Sequence, residues 1–380
     1  MDFNLPEESR MLKDTVRRFV DNELIPLEQK LVDRQNTFDL PDDIYRELSA
    51  KVKDMGLWAW GAPEDVGGAG LSPLDGCVVI EEVYRSTVGR SIFAPRFAPV
   101  LYELGTPAQK EKYLLPFVNG DLNAATAFSE PQAAGDLAGI KTTLEKKADG
   151  WVIKGNKCWI TGADVADFIL VLTRVKGTER HDGMTWVVLD KDTPGLKIGR
   201  EQKMIHGRST YEVFLDDCTV SKEQILGDPG QGWGAGNIFL HAGRMEIAAR
   251  GLGVADRCQE MSIEYAKQRQ TFGQPLSNRQ AIQWMIADSA MEIHATRMMV
   301  YDAAWRATQG EDVQQQTAMI KVYSSEMVGR VVDRAVQIHG AAGLSDETIL
   351  ELCYRDVRPM RIYEGPSEAM RSMVARGLLR

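Results

Sequence analysis

The chain has 380 residues, 44% hydrophobic and 26% charged, with 45 basic against 54 acidic residues and a formal net charge of -9. That length accommodates two or three domains with ample buried core, and the acidic balance argues against nucleic acid as a partner, which needs a basic footprint. No apolar run approaches a membrane span, FILVL at 168–172 being typical. The opening MDFNLPEESRMLKDTV has neither a signal core nor the Arg-rich, acid-poor character of a transit peptide; a soluble, cytoplasmic protein is expected. The cysteines at 77, 158, 218, 258 and 353 form no CxxC pair, and the histidines at 181, 206, 241, 294 and 339 do not cluster. Reduced thiols and no metal site follow from that spacing.

In chain order, Leu12, Val16, Phe19, Val20 and Leu24 recur at helical spacing, with Pro26 as the expected end. A second helix is predicted from Pro41-Asp42-Asp43, with Ile44, Leu48, Val52 and Met55 on one face and Gly56 as its stop. GAPEDVGGAGLS at 61–72 reads as a loop, and a further helix over about 74–85 carries Glu81-Glu82. Near residue 124 the texture changes to short β-type runs: Trp151-Val152-Ile153, Phe168 to Thr173, Trp186-Val187-Val188 and Val213-Phe214-Leu215. Helical periodicity returns in the 230s. Helices are predicted for Arg244 to about Lys267, about 279–309, 313–338, and from Pro366 onward, Met- and Ala-rich as in a packed bundle. The fold class read from this order is α+β multidomain: an N-terminal helical domain (1–123), a central β-barrel-like domain (124–230) and a C-terminal helical bundle (231–380).

The segment Arg361-Ile362-Tyr363-Glu364-Gly365-Pro366-Ser367 places Glu364 just before a helix N-terminus, with Gly365 as the expected cap and Pro366 in the first turn. Apolar burial raises a carboxyl pKa and a helix N-terminus lowers it, so a carboxylate held between the two suits a general base. Alone, a glutamate before a helix is most often a surface residue.

The segment resembles the C-terminal motif of the acyl-CoA dehydrogenase family, close to IYEGTSEIQR. Further segments resemble that family in the same order: PEDVGGAGLSPLD at 63–75, GTPAQKEKYLLPFVNGD at 105–121, FSEPQAAGD at 128–136, KCWITGADVADFILVLTR at 157–174, AKQRQTFGQPLSNRQAIQWMIAD at 266–288 and AVQIHGAAGL at 335–344. The resemblance spans essentially the whole chain. It implies FAD between the β domain and the bundle, with Phe128, Ser129, Trp159 and Thr161 at the flavin. Arg269, Thr271, Phe272, Gln337, Gly340 and Ala341 would reach the FAD of a neighbouring subunit in a homo-oligomer, a dimer or tetramer. It also implies α,β-dehydrogenation of an acyl-CoA: Glu364 takes the α-proton, a hydride leaves Cβ for the flavin, Arg244 and Gly365 line the substrate, and electrons pass to an electron-transfer flavoprotein.

Three positions depart from the family pattern: Gly135 where a serine is usual, Pro366 where a threonine is usual, and Gly340-Ala341 in place of a double glycine. Gly243 occupies the position from which some relatives draw their base, which favours Glu364. Arg90 and Arg96, in the domain that lines the acyl pocket in relatives, are read as surface or interface charges on the usual exposure of arginine, with recognition of a polar substrate tail as the alternative. An oxidase using O2, a flavin monooxygenase and a DNA-associated flavoprotein are the alternatives. The first two are disfavoured by chain length and by the presence of Glu364, the third by the acidic composition.

Overall fold

The computed structural model describes residues 4–28, 30, 40–148 and 150–379. Helix α1 (Glu7–Phe19) does not stop at Pro26: a widened turn, Val20–Leu24, carries it on through Ile25–Glu28. The wider turn re-registers the backbone hydrogen bonds, so a residue without an N–H stays in the helical path. The same device precedes Pro116, at Lys110–Leu114. Helix α2 (Asp42–Asp54) follows Pro41, and Gly56 takes the left-handed conformation just beyond its end. Helix α3 (Pro73–Val83) is capped by the Ser72 hydroxyl, which accepts from the Asp75 N–H. Its Glu81 and Glu82 are fully buried. Glu81 accepts from Lys13 at 2.7 Å, from the Tyr301 hydroxyl at 2.8 Å and from Arg297 at 3.1 Å; Glu82 accepts from Arg17 at 2.8 Å. The pair therefore ties α1 and α3 to the later bundle.

Eight strands form one sheet: β1 (Ala124–Ala127), β2 (Thr143–Lys147), β3 (Gly150–Thr161), β4 (Phe168–Val175), β5 (Met184–Asp190), β6 (Leu196–Lys203), β7 (Ser209–Val220) and β8 (Ile225–Leu226). Their order is β6-β7-β3-β2-β4-β5-β8, with β1 parallel to β4. β3, β4, β5 and β7 contain the β-type runs of the sequence; the others are too short or too polar to stand out. Phe168, Leu170 and Leu172 of β4 face one cluster with Trp186, Leu101, Tyr113 and Leu114, while Ile169 and Val171 face another with Ile153, Val187 and Leu215. Alternate residues of a strand point to opposite faces, so β4 and β5, covered on both, read as continuous apolar runs.

Helices α4 (Gly232–Gln268), α5 (Gln280–Thr308), α6 (Gln314–His339), α7 (Leu350–Val357) and α8 (Ser367–Leu378) complete the chain. α4 begins where helical periodicity is expected to return, at Gly232, and is continuous with the long helix predicted from Arg244. Its first turns contain Gly232, Gly234 and Gly236, poor helix formers; Gly232 lets the helix lie against β5, Gly236 touches Trp186, and Gly234 faces open space. A Cβ at Gly232 would sit 2.8 Å from the Met184 carbonyl oxygen, and the Trp186 indole donates to the Gly232 carbonyl at 2.9 Å. α8 starts at Ser367 with Pro366 as its N-cap, so Gly365 is not the cap. The largest core draws on both ends of the chain: Val16, Phe19, Leu48 and Ile80 pack with Ala248, Leu252, Val328 and Val332. No helix among the described residues is long and apolar enough to cross a membrane.

Of the two arginines expected at the surface or an interface, Arg90 is inside and Arg96 is half-buried. Arg90 is buried and paired with Asp356 at 2.5 Å. Half-buried Arg96 donates to the carbonyls of Phe117 and Leu122, each at 2.8 Å. Arginine tolerates such burial because its fork donates in several directions at once.

Candidate active site

Glu364 and Gly365 are consecutive left-handed residues, at φ +53° and +99°. A non-glycine residue in that region is strained, commonly by about 1–3 kcal/mol, and persists where surrounding structure fixes it. Here the fixing comes from two helices: Lys321 of α6 donates to the Gly365 carbonyl at 2.5 Å, and buried Arg244 of α4 donates to the Glu364 carbonyl at 3.3 Å. The Glu364 side chain lies over Gly243, where an added Cβ would come within 3.2 Å of its Cδ and Oε2. That Oε2 is buried and accepts no protein hydrogen bond. The backbone N–H of Glu364 likewise finds no protein acceptor among the described residues.

Burial pushes the pKa of this carboxyl up to about 7, with Glu246 adding to the rise and Arg244, Arg250 and Lys321 opposing it. Lys321 is in turn held down to about 8 by its own burial, against the pull of Glu364. Because the folded pKa of Glu364 exceeds its unfolded value of 4.5, folding takes up a proton between those two pH values, and stability falls as pH rises through that window. Glu364→Gln, which has no proton to lose, is therefore expected to be the more stable protein at pH 8, by at most ~3 kcal/mol. The gap should shrink toward pH 5. Urea unfolding at the two pH values checks this; a gap independent of pH would show that burial is not what holds the proton.

The residues expected at the flavin come together on the sheet. Trp159 and Thr161 of β3 are exposed and alternate with buried Cys158 and Ile160. Trp159 sits at φ +58°, where the β3–β7 register shifts between Lys157 and Ile160. Phe128 and Ser129, both half-buried, are tied to this stretch: the Cys158 N–H donates to the Ser129 carbonyl at 3.0 Å, and Lys157 donates to the Phe128 carbonyl at 3.0 Å. The Phe128 ring meets Trp186 edge-on at 4.8 Å and Phe239 at 5.4 Å. An exposed indole on a strained bulge beside an exposed hydroxyl and an aromatic wall is a suitable seat for a flat, partly polar ring system.

A second group lies at one end of the bundle. Arg269 and Phe272 are exposed, Phe272 at 97% and φ +49°, on the hairpin after α4, while Thr271 is half-buried and accepts from Arg279 at 2.7 Å through its carbonyl. Gln337, Gly340 and Ala341 are exposed at the end of α6. The two helix ends are adjacent, since Tyr265 of α4 stacks on His339 of α6 at 4.3 Å. A phenylalanine this exposed, beside an arginine and on left-handed backbone, suits contact with something outside the protomer.

Three further residues of the site, Lys321, Glu246 and Arg250, are not among those expected from the sequence. Glu246 and Arg250, four apart on one helix, look like a solvated ion pair in sequence, and only the fold turns them toward Glu364. Lys321 had a usable signal, a lone charge within the small-residue face Thr317, Ala318, Ser324 and Ser325. The departures Gly135 and Pro366 prove to be neighbours: a Cβ at Gly135 would lie 3.7 Å from the Pro366 ring, so the FSEPQAAGD loop abuts the Glu364 loop. No group of three metal-ligating side chains occurs among the described residues.

Comparison with known proteins bears directly on this arrangement. Residues 6–121, 125–218 and 230–379 match the family models described as the N-terminal, middle and C-terminal domains of acyl-CoA dehydrogenase. (R)-benzylsuccinyl-CoA dehydrogenase of Thauera aromatica is 38% identical over 394 residues, covering 100% of this chain and 97% of that protein. The solved structure of butyryl-CoA dehydrogenase from Megasphaera elsdenii superposes with a TM-score of 0.89 at 30% identity, covering 100% of both chains. A chain in a solved structure described as the electron transferring flavoprotein of Acidaminococcus fermentans matches at TM-score 0.89 and 32% identity, also with 100% of both chains covered. The chain belongs to the acyl-CoA dehydrogenase family, and is an FAD-dependent oxidoreductase acting on CH–CH bonds.

Proposed function

We propose that the protein carries out α,β-dehydrogenation of an acyl-CoA thioester to the trans-2-enoyl-CoA, with Glu364 as the base. The observation that carries this is the carboxyl of half-buried Glu364: its Oε2 is buried and free of protein partners, and its pKa is raised to about 7. It can accept a proton near neutral pH without first breaking a bond. The Glu364 N–H, free of protein acceptors, is the donor placed to polarise the thioester carbonyl and so acidify the α-carbon. Arg244 fixes the Glu364 backbone and Lys321 fixes Gly365, which keeps that N–H and the carboxylate in one geometry.

Phe128, Ser129, Trp159 and Thr161 are the residues that would hold the flavin, the Thr161 hydroxyl beside its redox-active edge. When bound, FAD supplies the acceptor for the hydride leaving Cβ. The exposed group Arg269, Thr271, Phe272, Gln337, Gly340 and Ala341 would complete a cofactor site in a neighbouring subunit, consistent with a homodimer or homotetramer, and an arginine fork suits a pyrophosphate. The chain would then be organised as helical 1–123, β 124–230 and bundle 231–380, would hand its electrons to an electron-transfer flavoprotein, and would serve cytoplasmic acyl-chain β-oxidation.

An anaerobic titration of the holoenzyme with saturated acyl-CoAs tests the reading: bleaching of oxidised flavin by at least one of them is the expected result, and bound flavin that none reduces would overturn it. Gly243→Ala should slow that bleaching on the order of 10-fold, since the new methyl must displace the Glu364 carboxyl by a few tenths of an ångström and small misplacements of a base are costly. Stopped-flow reduction with unchanged flavin content measures this; an unaltered rate would place the reacting oxygen elsewhere.

A further inference from the structure

We propose that the acyl group of the substrate carries a second carboxylate, and that Arg250 is the residue that receives it. This deepens the dehydrogenase reading and rests on it.

Helix α4 presents Gly243, Glu246 and Arg250 at three- and four-residue spacing, hence on one face. Gly243 lies against the Glu364 carboxyl. Arg250 is seven residues farther, roughly 10 Å along the axis, and its side chain can reach back over part of that distance. Glu246 and Arg250 both act electrostatically on Glu364, so all three share one space. Their side chains are deep in the protein, yet 26% (Arg250) and 20% (Glu246) accessible. Solvent therefore reaches them, and they do not fill a sealed core.

The guanidinium of Arg250 is incompletely satisfied. Nη2 donates to Glu246 at 2.9 Å, and the group lies 5.1 Å from the Tyr84 ring centroid and interacts with Tyr363. Its Nε is buried and has no partner. Arg90, 4.3 Å from the same Tyr84 ring, has its own carboxylate partner in Asp356 at 2.5 Å, as Arg250 has in Glu246. Glu246 is a poor permanent counter-ion, because burial favours its neutral form. A buried donor without an acceptor is unfavourable until a ligand supplies one, and a carboxylate is the acceptor that the planar fork of arginine matches best. At the other end of the same wall, Glu364 Oε2 is the matching orphan acceptor, waiting for an acidic C–H. The two orphan atoms mark the two ends of one ligand: a thioester with its α-carbon at Glu364 and an anionic group at Arg250.

The test compares succinyl-, glutaryl- and adipyl-CoA, each against its own ω-methyl ester and against the unsubstituted acyl-CoA of similar length. Anaerobic rapid mixing with the holoenzyme gives Kd from the flavin perturbation before reduction, and the bleaching rate separately. At least one diacid should bind roughly 10-fold or more tighter than its ester. That ratio, taken within each variant, should fall to near one in Arg250→Met and survive in part in Arg250→Lys. If Arg250→Met misfolds for want of a partner to Glu246, the double variant Glu246→Gln/Arg250→Met, confirmed folded by its flavin spectrum, replaces it. A diacid preference that persists without Arg250, or wild-type enzyme that prefers esters or unsubstituted chains, would overturn the proposal and leave the dehydrogenase reading standing. Failure of every acyl-CoA, mono- or diacid, to reduce the flavin would remove both.

Discussion

Replacing Glu364 with glutamine is expected to slow flavin bleaching by saturated acyl-CoAs roughly 10²–10⁴-fold, the contribution typical of a positioned general base, while the protein keeps its FAD. Glutamine preserves the shape that fits over Gly243 and removes only the ability to take a proton. The donors from Arg244 and Lys321 reach the carbonyls of Glu364 and Gly365, not the carboxyl, so the loop geometry should survive. In the wild-type enzyme the apparent second-order rate of bleaching should climb as pH rises through about 7, where Glu364 loses its proton, and in the variant that limb should vanish. Rapid-mixing spectroscopy across pH 5.5–8.5 (a range set by roughly 1.5 units to either side of that pKa) reads both effects. Retained bleaching in Glu364→Gln would eliminate it as the base.

Glu130→Leu should produce the largest loss of stability. Lys157 is fully buried and its ammonium is held by Glu130 at 2.9 Å and by the Phe128 carbonyl at 3.0 Å. Glu130, itself 1% exposed, also accepts from the N–H groups of Lys141 at 2.7 Å and Thr142 at 3.0 Å. Burial already lowers Lys157 to about 8 with Glu130 pulling it back up. Without the carboxylate, an uncompensated buried charge remains, which costs about 3–5 kcal/mol. The sign of its pH dependence follows: the folded pKa falls further below the unfolded value, so the penalty is greatest where lysine must be charged and shrinks as pH rises. Urea unfolding at pH 7 and pH 9.5 measures it. The double variant Glu130→Leu/Lys157→Met should recover much of the loss, because an apolar pair of similar volume replaces a buried ion pair at little net cost. The same pair anchors Phe128 and the Cys158–Thr161 stretch, so the single variant should also retain FAD less well. Undiminished stability and full flavin content would show that this pair does not organise the site.

The succession of helices, strands and helices is legible in the amino-acid order alone, because apolar spacing sets local structure directly: α2, α3, α5 and α6 begin and end within a few residues of their predicted limits. So is the family, since FSEPQAAGD, KCWITG and IYEGPSE are contiguous strings whose order is visible in one dimension. Expectation and structure part where tertiary packing overrides propensity. Gly232 and Gly236 of early α4 look like breakers but permit contact with Trp186, and Pro26 stays within a helical path because a widened turn absorbs its missing N–H.

Which charges are buried is a matter of the folded molecule. Arg90 meets Asp356, distant in sequence, and Glu81 meets Arg297; neither pairing leaves a local trace, since a residue's exposure depends on what folds over it. The same is true at the centre of the site. That burial outweighs the charges of Arg244, Arg250 and Lys321 in setting the proton affinity of Glu364, that Gly243 makes room for its carboxyl, and that Glu246 and Arg250 act on it while resembling a surface pair are all consequences of α4, α6 and the Glu364 loop converging from separate parts of the chain.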